Sequence, residues 1–478
     1  MTLTIPSSFP LLSPQNTTQV HDHSTNSRPT SPLPLPFSPK HHNMYCGDEV
    51  FSVVGDLGTA SSRFGYAGED LPNAVFPSAV GHVVDAAGGG GKKKAAGGSS
   101  SMDVDDAAAA GESSSSNGGA VLGEANIGLR RTDLELSFPM ENGHVRDWEA
   151  VERVWAHAFG HLAVPDGAKG VPFMYALPSW ATRAESQKVM ELAFERFETG
   201  ALYLARSAML SAFSTGRASG IVCDCGAGST SAVPLLDGYV LNQLVGRSER
   251  GGDWLDGKVG EWLASKKATV RPFGQQQGVV AEMMPPHYRQ FQEQRVLRDM
   301  KESCCLVPGA ESDDGAMFDV EDNDPEEGVY ELPDGTKVKI DKTLRRLPEL
   351  LMLPENDSAS SSSSSSSPPA PQDLPGLVYA AVEKADVDVR KELLGNVILT
   401  GAGSCFRGAA ERLQFELTEK VPVAYKVKVV TATPLERRFS AWIGGSILAS
   451  LGSFQQLWLS KAEYEEMGAE RACRERFH

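Results

Sequence analysis

The chain has 478 residues, of which 41% are hydrophobic and 22% charged, an ordinary globular composition. Its length allows large cores and two or three compact units. The formal net charge of −17 argues against direct, sequence-specific nucleic-acid binding, because phosphate contacts depend on clustered lysine and arginine, and it favours a partner with a basic surface.

The seven cysteines are scattered along the chain and form no CxxC pair. This pattern argues against a disulfide framework and a structural zinc site, and it favours a reducing compartment, the cytosol or the nucleus. The first residues lack the basic and apolar regions of a secretory signal. No apolar run approaches the roughly 20 residues that span a bilayer. We therefore expect no membrane partner.

In chain order, residues 1–43 are rich in Pro, Ser, Thr and His and predict a disordered tail, with Met44 as an alternative translation start. Three further biased segments interrupt patterned sequence. They are Gly/Ala/Ser-rich at about 85–123, acidic at 311–328 and Ser/Pro-rich at 356–372. Because patterned sequence resumes after each, we expect surface insertions within one fold.

The segments between these insertions alternate between helix and strand patterns. Apolar residues recur at helical spacing over 144–162 and 185–197. Short apolar runs over 219–228 and 395–405 enter glycine-rich turns, which is typical of buried strands. The alternation predicts an α/β architecture.

Two hairpin patterns repeat one form. "VFSVVGDLGTAS" and "ASGIVCDCGAGSTS" each read apolar strand, Asp, any residue, Gly, then small and hydroxyl residues, so that Asp56 matches Asp224 and Gly58 matches Gly226. Successive N–H groups in such turns bind anions, and a carboxylate at each strand can hold Mg²⁺ through water. Either turn alone is most often an ordinary turn. The repeat favours a duplicated unit and two cradles that clamp a triphosphate across a cleft.

A third glycine turn, at 399–408, has an alternative interpretation. Gly401 and Gly403 begin a GxGxxG pattern that is typical of dinucleotide sites, but Phe406 replaces the third glycine. The dinucleotide interpretation is therefore disfavoured.

Together these segments resemble the actin family. The two hairpins resemble its first and second phosphate loops, and "LTGAGSCFRGAAERL" resembles its adenosine loop. Residues 295–303, 330–340 and, most closely, 435–468 are similar to further actin segments. The resemblance extends from Met44 to His478, apart from the three insertions. The opening "DEVFSVVGDLGTASSRFGYAGEDLPNAVFPS" is most similar to nuclear actin-related proteins, which are subunits of chromatin-remodelling and histone-acetyltransferase complexes.

The resemblance implies an α/β actin-like ATPase fold, in which duplicated ribonuclease H-like units form two lobes, or four subdomains, around a nucleotide cleft. It places subdomains 1 and 2 at 44–214 and subdomains 3 and 4 at 215–439. Residues 440–478 are expected to return to subdomain 1.

The resemblance also implies ATP and Mg²⁺ as cofactors, with Asp56 and Asp224 holding the metal through water. Residues matching the family's phosphate, ribose, base and hinge positions are expected to bind the nucleotide: Asp56, Gly58, Thr59, Arg63, Asp224, Gly226, Gly228, Ser229, Thr230, Lys301, Glu302, Gly401, Ala402, Ser404, Phe406 and Arg438.

Several positions depart from actin. Arg63 stands where actin has a lysine and binds phosphate with a different geometry. Ala227 replaces an acidic residue near the metal. Ser207 and Ser231 replace the glutamine and histidine that position the attacking water. Hydrolysis depends on that positioning, so we expect little or no ATPase activity, although a serine can still hold a water for slow turnover.

Filament formation is not expected, because the insertion at about 85–123 replaces actin's subunit-docking loop with a Gly/Ser/Ala segment. The alternative is that the insertion leaves the rest of that interface intact.

The resemblance implies conventional actin and the basic HSA-type helix of a remodeller ATPase or scaffold as partners, with histones as a further candidate. In the family, a groove beneath the last helices takes an amphipathic partner helix. Four apolar residues are predicted to belong either to this groove or to the core: Leu448, Leu451, Phe454 and Trp458.

The sequence therefore predicts a nuclear, non-filamentous, ATP-binding interaction subunit. An active cytoskeletal actin-type ATPase is the main alternative, and Ser207, Ala227 and Ser231 count against it. A sugar kinase would need a catalytic aspartate in a sugar cleft. A chaperone-type ATPase would need a substrate-binding domain after the actin-like part. Another nuclear actin-related protein is the nearest alternative.

Overall fold

The computed structural model describes residues 51–84, 120–273, 284–308, 328–354 and 371–477. The predicted tail, Met44 and most of each predicted insertion lie outside these residues. The strands are β1 (Val53–Leu57), β2 (Ser61–Tyr66), β3 (Ala74–Pro77), β4 (Val80–Val83), β5 (Ala120–Val121), β6 (Leu134–Ser137), β7 (Met140–Glu141), β8 (His144–Val145), β9 (Pro172–Leu177), β10 (Ala201–Arg206), β11 (Gly220–Cys225), β12 (Thr230–Leu236), β13 (Tyr239–Val240), β14 (Gly246–Ser248), β15 (Val329–Glu331), β16 (Lys337–Lys339), β17 (Val397–Thr400), β18 (Val429–Thr431) and β19 (Leu459–Ser460).

The helices alternate with these strands, which confirms the predicted α/β architecture. A π-helical turn, Leu192–Arg196, extends the third helix and completes the helix predicted over 185–197. The helices are α1 (Glu124–Ile127), α2 (Trp148–His161), α3 (Arg183–Glu191), α4 (Ser207–Ser214), α5 (Gly252–Ser265), α6 (Pro286–Cys304), α7 (Lys342–Arg345), α8 (Leu374–Lys384), α9 (Val387–Gly395), α10 (Ala409–Lys420), α11 (Pro434–Ser450) and α12 (Lys461–Arg476).

Two mixed sheets with the same central topology organise the molecule. The first has the strand order β19-β10-β9-β1-β2-β3, with β1 parallel to β9 and antiparallel to β2. The second has the order β13-β12-β11-β17-β18, with β11 parallel to β17 and antiparallel to β12. The repeat of hairpin plus parallel strands confirms the duplication that the two Asp-x-Gly segments predicted.

The central strand of each sheet is buried because its sequence is apolar nearly throughout. Every residue of β1, with the sequence VVGDL, is buried. In β11 every residue is buried except Asp224, which is half-buried. Strands covered on both faces need this near-continuous apolar pattern. Asp56 and Asp224 are thus carboxylates placed within otherwise apolar strands, which marks their strand ends as sites of chemistry.

The long helix α11 joins the two sheets. It begins with a capping box in which Thr433 and Glu436 satisfy each other's backbone N–H groups. It packs on β1 and β9 of the first sheet and on β17 of the second. Its Trp442 is fully buried and donates from Nε1 to the Val54 carbonyl at 3.1 Å. Gly444 lets the helix approach α4, since a methyl group there would lie 1.8 Å from the Leu210 carbonyl oxygen.

Some predicted boundaries differ from those observed. Ala120 and Val121, assigned to the first insertion, form β5 and pair with β4. Gly328, assigned to the acidic insertion, accepts a hydrogen bond from the Ile340 N–H. The boundary placed at 439/440 falls inside α11, which is continuous. Among the described residues, no helix is long and apolar enough to span a membrane.

Candidate nucleotide-binding site

A cleft of about 1170 Å³ lies between the two sheets, at the ends of their central strands. Most of the residues predicted to bind the nucleotide line this cleft: Asp56, Gly58, Thr59, Arg63, Asp224, Gly226, Gly228, Ser229, Lys301, Glu302, Gly401, Ala402, Phe406 and Arg438. Thus segments far apart in sequence are brought to one site, as the duplicated hairpins predicted.

Two predicted residues do not line the cleft. The Thr230 hydroxyl donates to the Arg250 carbonyl at 2.7 Å, since Thr230 is the first residue of β12 and is buried there. The Ser404 hydroxyl donates to the Gly401 carbonyl at 2.7 Å and so closes its own turn. Both side chains therefore make hydrogen bonds that shape loops and do not line the cleft, and their part in nucleotide binding stays a prediction.

The first loop is the turn between β1 and β2. The Gly58 N–H donates to the Ser61 carbonyl at 3.1 Å, and a methyl group at Gly58 would lie 3.1 Å from that oxygen. Asp56 and Arg63 are register partners across the hairpin, and their side chains form an ion pair at 2.7 Å. The loop therefore offers backbone N–H groups and a cation beside a carboxylate.

The second loop, between β11 and β12, repeats the first in detail. The Gly226 N–H donates to the Ser229 carbonyl at 2.9 Å, as Gly58 does to Ser61. Asp224 pairs in register with Ser231, as Asp56 pairs with Arg63. The second hairpin thus has a serine where the first has its cation, so the two halves of the clamp are alike in backbone and unlike in charge.

The two loops approach each other across the cleft. A methyl group at Gly228 would lie 2.9 Å from Thr59 Oγ1 and 3.2 Å from the Asn142 Cα. Only glycine fits this approach without displacing the other lobe. The geometry suits an anion held from both sides by backbone N–H groups.

The carboxylates set the electrostatics of the cleft. Burial raises the pKa of Asp224 to about 6, the negative charge of Asp56 adds to this rise, and Arg63 opposes it. Partial burial disfavours the ionised form of this carboxylate, and a nearby cation would stabilise that form. Mg²⁺ prefers oxygen ligands. Asp56 and Asp224 therefore fit the predicted role of holding a Mg²⁺ ion through its water ligands, which stays a prediction.

The third loop borders the cleft from the second sheet. Gly401 has φ +85°, and a methyl group there would lie 2.4 Å from both Asp224 Oδ1 and the Cys225 carbonyl oxygen. Its N–H donates to the Arg437 carbonyl at 3.0 Å, and Arg437 Nη1 donates to the Ser404 carbonyl at 2.7 Å. The loop is therefore fixed to the start of α11 and packed on the second phosphate loop.

Lys301 and Glu302 line the cleft but are partly engaged within the protein. Lys301 Nζ lies 2.8 Å from the Gly252 carbonyl oxygen and 2.5 Å from Asp256 Oδ1, and its side chain is 6% exposed. Burial raises the pKa of Asp256, and Lys301 and Arg298 oppose that rise. Glu302 forms a 3.5 Å ion pair with Arg438. Direct contact of these side chains with base or ribose stays a prediction.

The positions that depart from actin differ in their surroundings. Ser207, the first residue of α4, and Ala227 line the cleft. Ser231 is buried within β12 and does not line it. The side chain facing the cleft at α4 is therefore a short hydroxyl.

Sequence reasoning missed the support that α5 gives to the second loop. The Gly252 N–H donates to the Gly226 carbonyl and the Asp253 N–H to the Ala227 carbonyl, both at 2.9 Å. A methyl group at Gly251 would lie 2.3 Å from the Ala227 carbonyl oxygen. The glycine pair in "RGGDWLDG", just before an apolar periodic segment, was the available signal.

Contacts between the lobes close one end of the cleft. We call Ile127, Tyr288, Phe291 and Gln292 the lobe seal: the last three project from α6 onto the end of α1. Gln292 Nε2 donates to the Ile127 carbonyl at 2.9 Å, and the buried Tyr288 donates its hydroxyl to the same oxygen at 3.3 Å. These residues join an apolar cluster with Leu134 and others.

A second contact between the lobes lies near the two phosphate loops. The Arg247 guanidinium lies 4.8 Å above the Trp180 ring and 2.9 Å from His144 Nε2. His144 Nδ1 is 3.2 Å from Glu185 Oε1. A cation over an indole face is favourable, so this contact also stabilises the closed cleft.

Comparisons with known proteins agree with this architecture. The actin family model matches residues 47–478. The chain is 40% identical over 448 residues to actin-related protein 4 of Arabidopsis thaliana, covering 90% of this chain and 100% of the relative. It is 36% identical over 448 residues to actin-related protein 4 of Oryza sativa subsp. japonica, with the same coverage. It is 31% identical over 442 residues to actin-related protein 4 of Yarrowia lipolytica, covering 89% of this chain and 96% of the relative.

Proposed function

Because the chain belongs to the actin family, we propose that it is a nuclear, non-filamentous, ATP-binding actin-related protein. In this proposal it is a structural subunit of chromatin-remodelling and histone-acetyltransferase complexes. It sits on a basic HSA-type helix of a remodeller ATPase or scaffold beside conventional actin, and through these complexes it acts in chromatin organisation, transcription and DNA repair.

The observation that carries ATP binding is the pair of matching phosphate loops in one cleft. Gly58 and Gly226 each close a turn with the same N–H-to-carbonyl hydrogen bond. Asp56 and Asp224 lie at equivalent positions of the two central strands. A single glycine turn has many uses, but two that face each other suit a triphosphate with Mg²⁺. Bound ATP then bridges the lobes and stabilises the folded protein by mass action.

Weak or absent hydrolysis follows from the side chains that face the cleft. In-line attack on the γ-phosphate requires a positioned water. Ser207 offers a short hydroxyl at the start of α4, and Ala227 offers no carboxylate to the metal. The side chains of the cleft therefore favour ATP binding over ATP hydrolysis.

The exposed end of α11 supports docking of a partner helix. Ile447, in the last turn of α11, and Leu451, the residue after the helix, are 43% and 39% exposed and give this end of the helix an apolar face. Phe454 and Trp458 are buried in the core, whereas Leu448 is half-buried at its margin. Apolar anchors of a partner helix fit such a face, and the net charge of −17 suits a basic one.

Affinity purification of the tagged full-length chain from nuclei tests the assembly. We expect a remodeller ATPase and conventional actin to co-purify. Leu451→Asp should abolish their recovery, while Leu435→Asp, at the other end of α11 and 51% exposed, serves as the matched control. Recovery of cytoskeletal proteins alone would overturn the proposal.

Single-turnover hydrolysis and sedimentation with ATP and Mg²⁺ test the remaining parts. We expect bound ATP to persist and the pure protein to stay in the supernatant. Actin-like phosphate release together with sedimenting filaments would support the cytoskeletal alternative instead. A purified chain that binds no ATP by calorimetry would contradict the nucleotide assignment itself.

A further inference from the structure

Two carboxylates of α5 face two cations of α6 beside the second phosphate loop. Arg298 Nη2 lies 2.9 Å from Asp253 Oδ1, and Arg298 Nε lies 3.4 Å from Asp256 Oδ2. Lys301 Nζ lies 2.5 Å from Asp256 Oδ1. We call these four residues the charge network. On each helix its two members are three residues apart and share a face, so the network holds α6 against the start of α5.

The inner pair of the charge network is buried. Asp256 and Lys301 have side chains that are 2% and 6% exposed, whereas those of Asp253 and Arg298 are 36% and 32% exposed. Removing two charges from water costs several kcal/mol per ion, and apolar residues of similar volume are often at least as stabilising. Stability alone therefore does not account for a buried ion pair at this position.

Lys301 binds a peptide unit that also supports the second phosphate loop. Lys301 Nζ donates to the Gly252 carbonyl at 2.8 Å. In the same peptide unit, the Asp253 N–H donates to the Ala227 carbonyl at 2.9 Å. The preceding N–H, that of Gly252, donates to the Gly226 carbonyl at the same distance. Hydrogen bonds at both ends of one peptide unit polarise it and strengthen each other.

We propose that Asp256 and Lys301 are positioning residues, which hold the second phosphate loop in its anion-binding form through the Gly252–Asp253 peptide. This inference rests on the ATP binding proposed above and assigns the pair its part in that site. An ammonium group can donate three hydrogen bonds. Lys301 gives one to the Gly252 carbonyl, and Asp256 compensates its charge, so Lys301 is a weak counterion for phosphate. Its effect on phosphate binding is therefore indirect.

The proposal distinguishes two roles of Lys301 by the ligands that each role affects. A residue that positions the phosphate loop affects every ligand whose phosphates occupy that loop. A residue that contacts base or ribose affects only ligands that contain them. Inorganic tripolyphosphate carries the phosphates without base or ribose, so its Mg²⁺ complex and Mg-ATP are the two probes.

Displacement of a fluorescent ATP analogue from the full chain measures the affinity for both probes. We expect Lys301→Met to weaken the binding of both by the same factor, about tenfold. The control is Lys258→Met, which breaks an exposed 2.9 Å pair with Glu261 on the same helix and should leave both affinities unchanged. Weaker ATP binding with unchanged tripolyphosphate binding would overturn this inference. A parent chain that binds neither probe would overturn the proposed function instead.

A double variant separates positioning from a purely structural role. Lys301→Met alone leaves the buried Asp256 carboxylate uncompensated, so the folded protein should lose stability. Asp256→Leu with Lys301→Met removes both charges, and urea denaturation should show stability close to that of the parent. The affinities for both probes should nevertheless stay about tenfold lower. If affinity returns together with stability, the pair has only a structural role and the inference is wrong.

Amide hydrogen exchange of the nucleotide-free chain tests the positioning without a ligand. In the double variant, the N–H groups of Gly226, Gly252 and Asp253 should exchange faster than in the parent, because the peptide that supports the loop has lost its hydrogen bond from Lys301. Exchange on α12, far along the chain, should be unchanged. Equal exchange of the loop in parent and double variant would overturn the inference.

Discussion

Arg63 Nη1 lies 2.7 Å from Asp56 Oδ2, between side chains that are 16% and 12% exposed. The cation predicted to reach the phosphates thus pairs with the carboxylate predicted to hold the metal. Each group compensates the other at a site shielded from solvent. In the proposed ATP-bound state, the carboxylate would face the metal's water and the guanidinium a phosphate, and the ion pair would be the nucleotide-free arrangement.

Arg63→Gln tests this arrangement. It removes a phosphate-binding cation and leaves the Asp56 carboxylate without its partner, so we expect ATP affinity to fall at least about tenfold. Arg63→Lys should retain much of the affinity. Calorimetric titration with Mg-ATP measures both, and Arg146→Gln, an exposed position outside the cleft, is the control. Unchanged affinity in the glutamine variant would show that the backbone N–H groups alone hold the phosphates.

The lobe seal makes a prediction about nucleotide release. Tyr288→Phe removes a hydroxyl that donates to the Ile127 and Leu129 carbonyls of the other lobe, while the Ile127 carbonyl keeps its hydrogen bond from Gln292. A hydrogen bond of this kind contributes about 0.5–1.5 kcal/mol. Because the bond joins the two lobes, the open cleft should become more populated. Displacement of a fluorescent ATP analogue should quicken roughly two- to tenfold. Tyr239→Phe, at an exposed tyrosine, should have no effect. Unaltered release would mean that ATP leaves without separating α1 from α6.

Restoring a longer amide side chain at Ser207 tests the account of weak hydrolysis. Ser207→Gln places a water-positioning group at the edge of the cleft, so single-turnover hydrolysis should rise at least roughly tenfold. Ser231→His alone should bring no gain, because position 231 is buried in β12. If Ser207→Gln leaves the rate at the parent level, the missing water contact is not what limits turnover.

The capping box of α11 predicts a pH-dependent stability. The Thr433 N–H and hydroxyl donate to the Glu436 carboxylate and lower its pKa below the ordinary glutamate value of 4.5. The carboxylate's contribution is therefore fully present above the unfolded-state pKa and is lost as the pH falls through the lower folded-state pKa. Glu436→Ala should cost about 1 kcal/mol at pH 7.

The cost should shrink as the pH is lowered through 4.5 and below, because the parent protein then loses the same contribution. Urea denaturation of the two proteins across that range measures the difference. Glu392→Ala, at an exposed position of α9, is the control. A cost that stays constant across the pH range would assign the loss to the side chain's packing rather than to its charge.

Local pattern was sufficient for much of the fold and the core of the site. The apolar runs of β1 and β11, followed by the Asp-x-Gly turns, predicted both hairpins, because such turns are specified by adjacent residues. That the Thr230 side chain does not line the cleft could not be predicted, because the start of β12 fixes which way this side chain turns and a serine-threonine run does not reveal that register.

Other features depend on partners distant in the chain. Lys301 is held by Asp256, 45 residues earlier, and Tyr288 meets Ile127, 161 residues earlier. No local periodicity encodes such pairs. Ala120 and Val121 end a Gly/Ala/Ser-rich run and look like its continuation, yet pairing with β4 gives them a strand. In each case tertiary contacts outweighed local composition.

The helix α11 has a mechanical consequence. Its 17 residues form a rod of about 25 Å. One end is bonded to the third loop, where the Arg437 carbonyl accepts from the Gly401 N–H. The other end exposes Ile447, and the exposed Leu451 follows directly after the helix. A rigid rod transmits displacement, so α11 would act as a lever if the proposed nucleotide and partner helix bind at its two ends. If a partner at the outer end prefers one cleft geometry, partner binding changes the affinity for ATP by a certain factor. ATP binding then changes the affinity for the partner by the same factor. Bound ATP would then regulate partner binding without being hydrolysed.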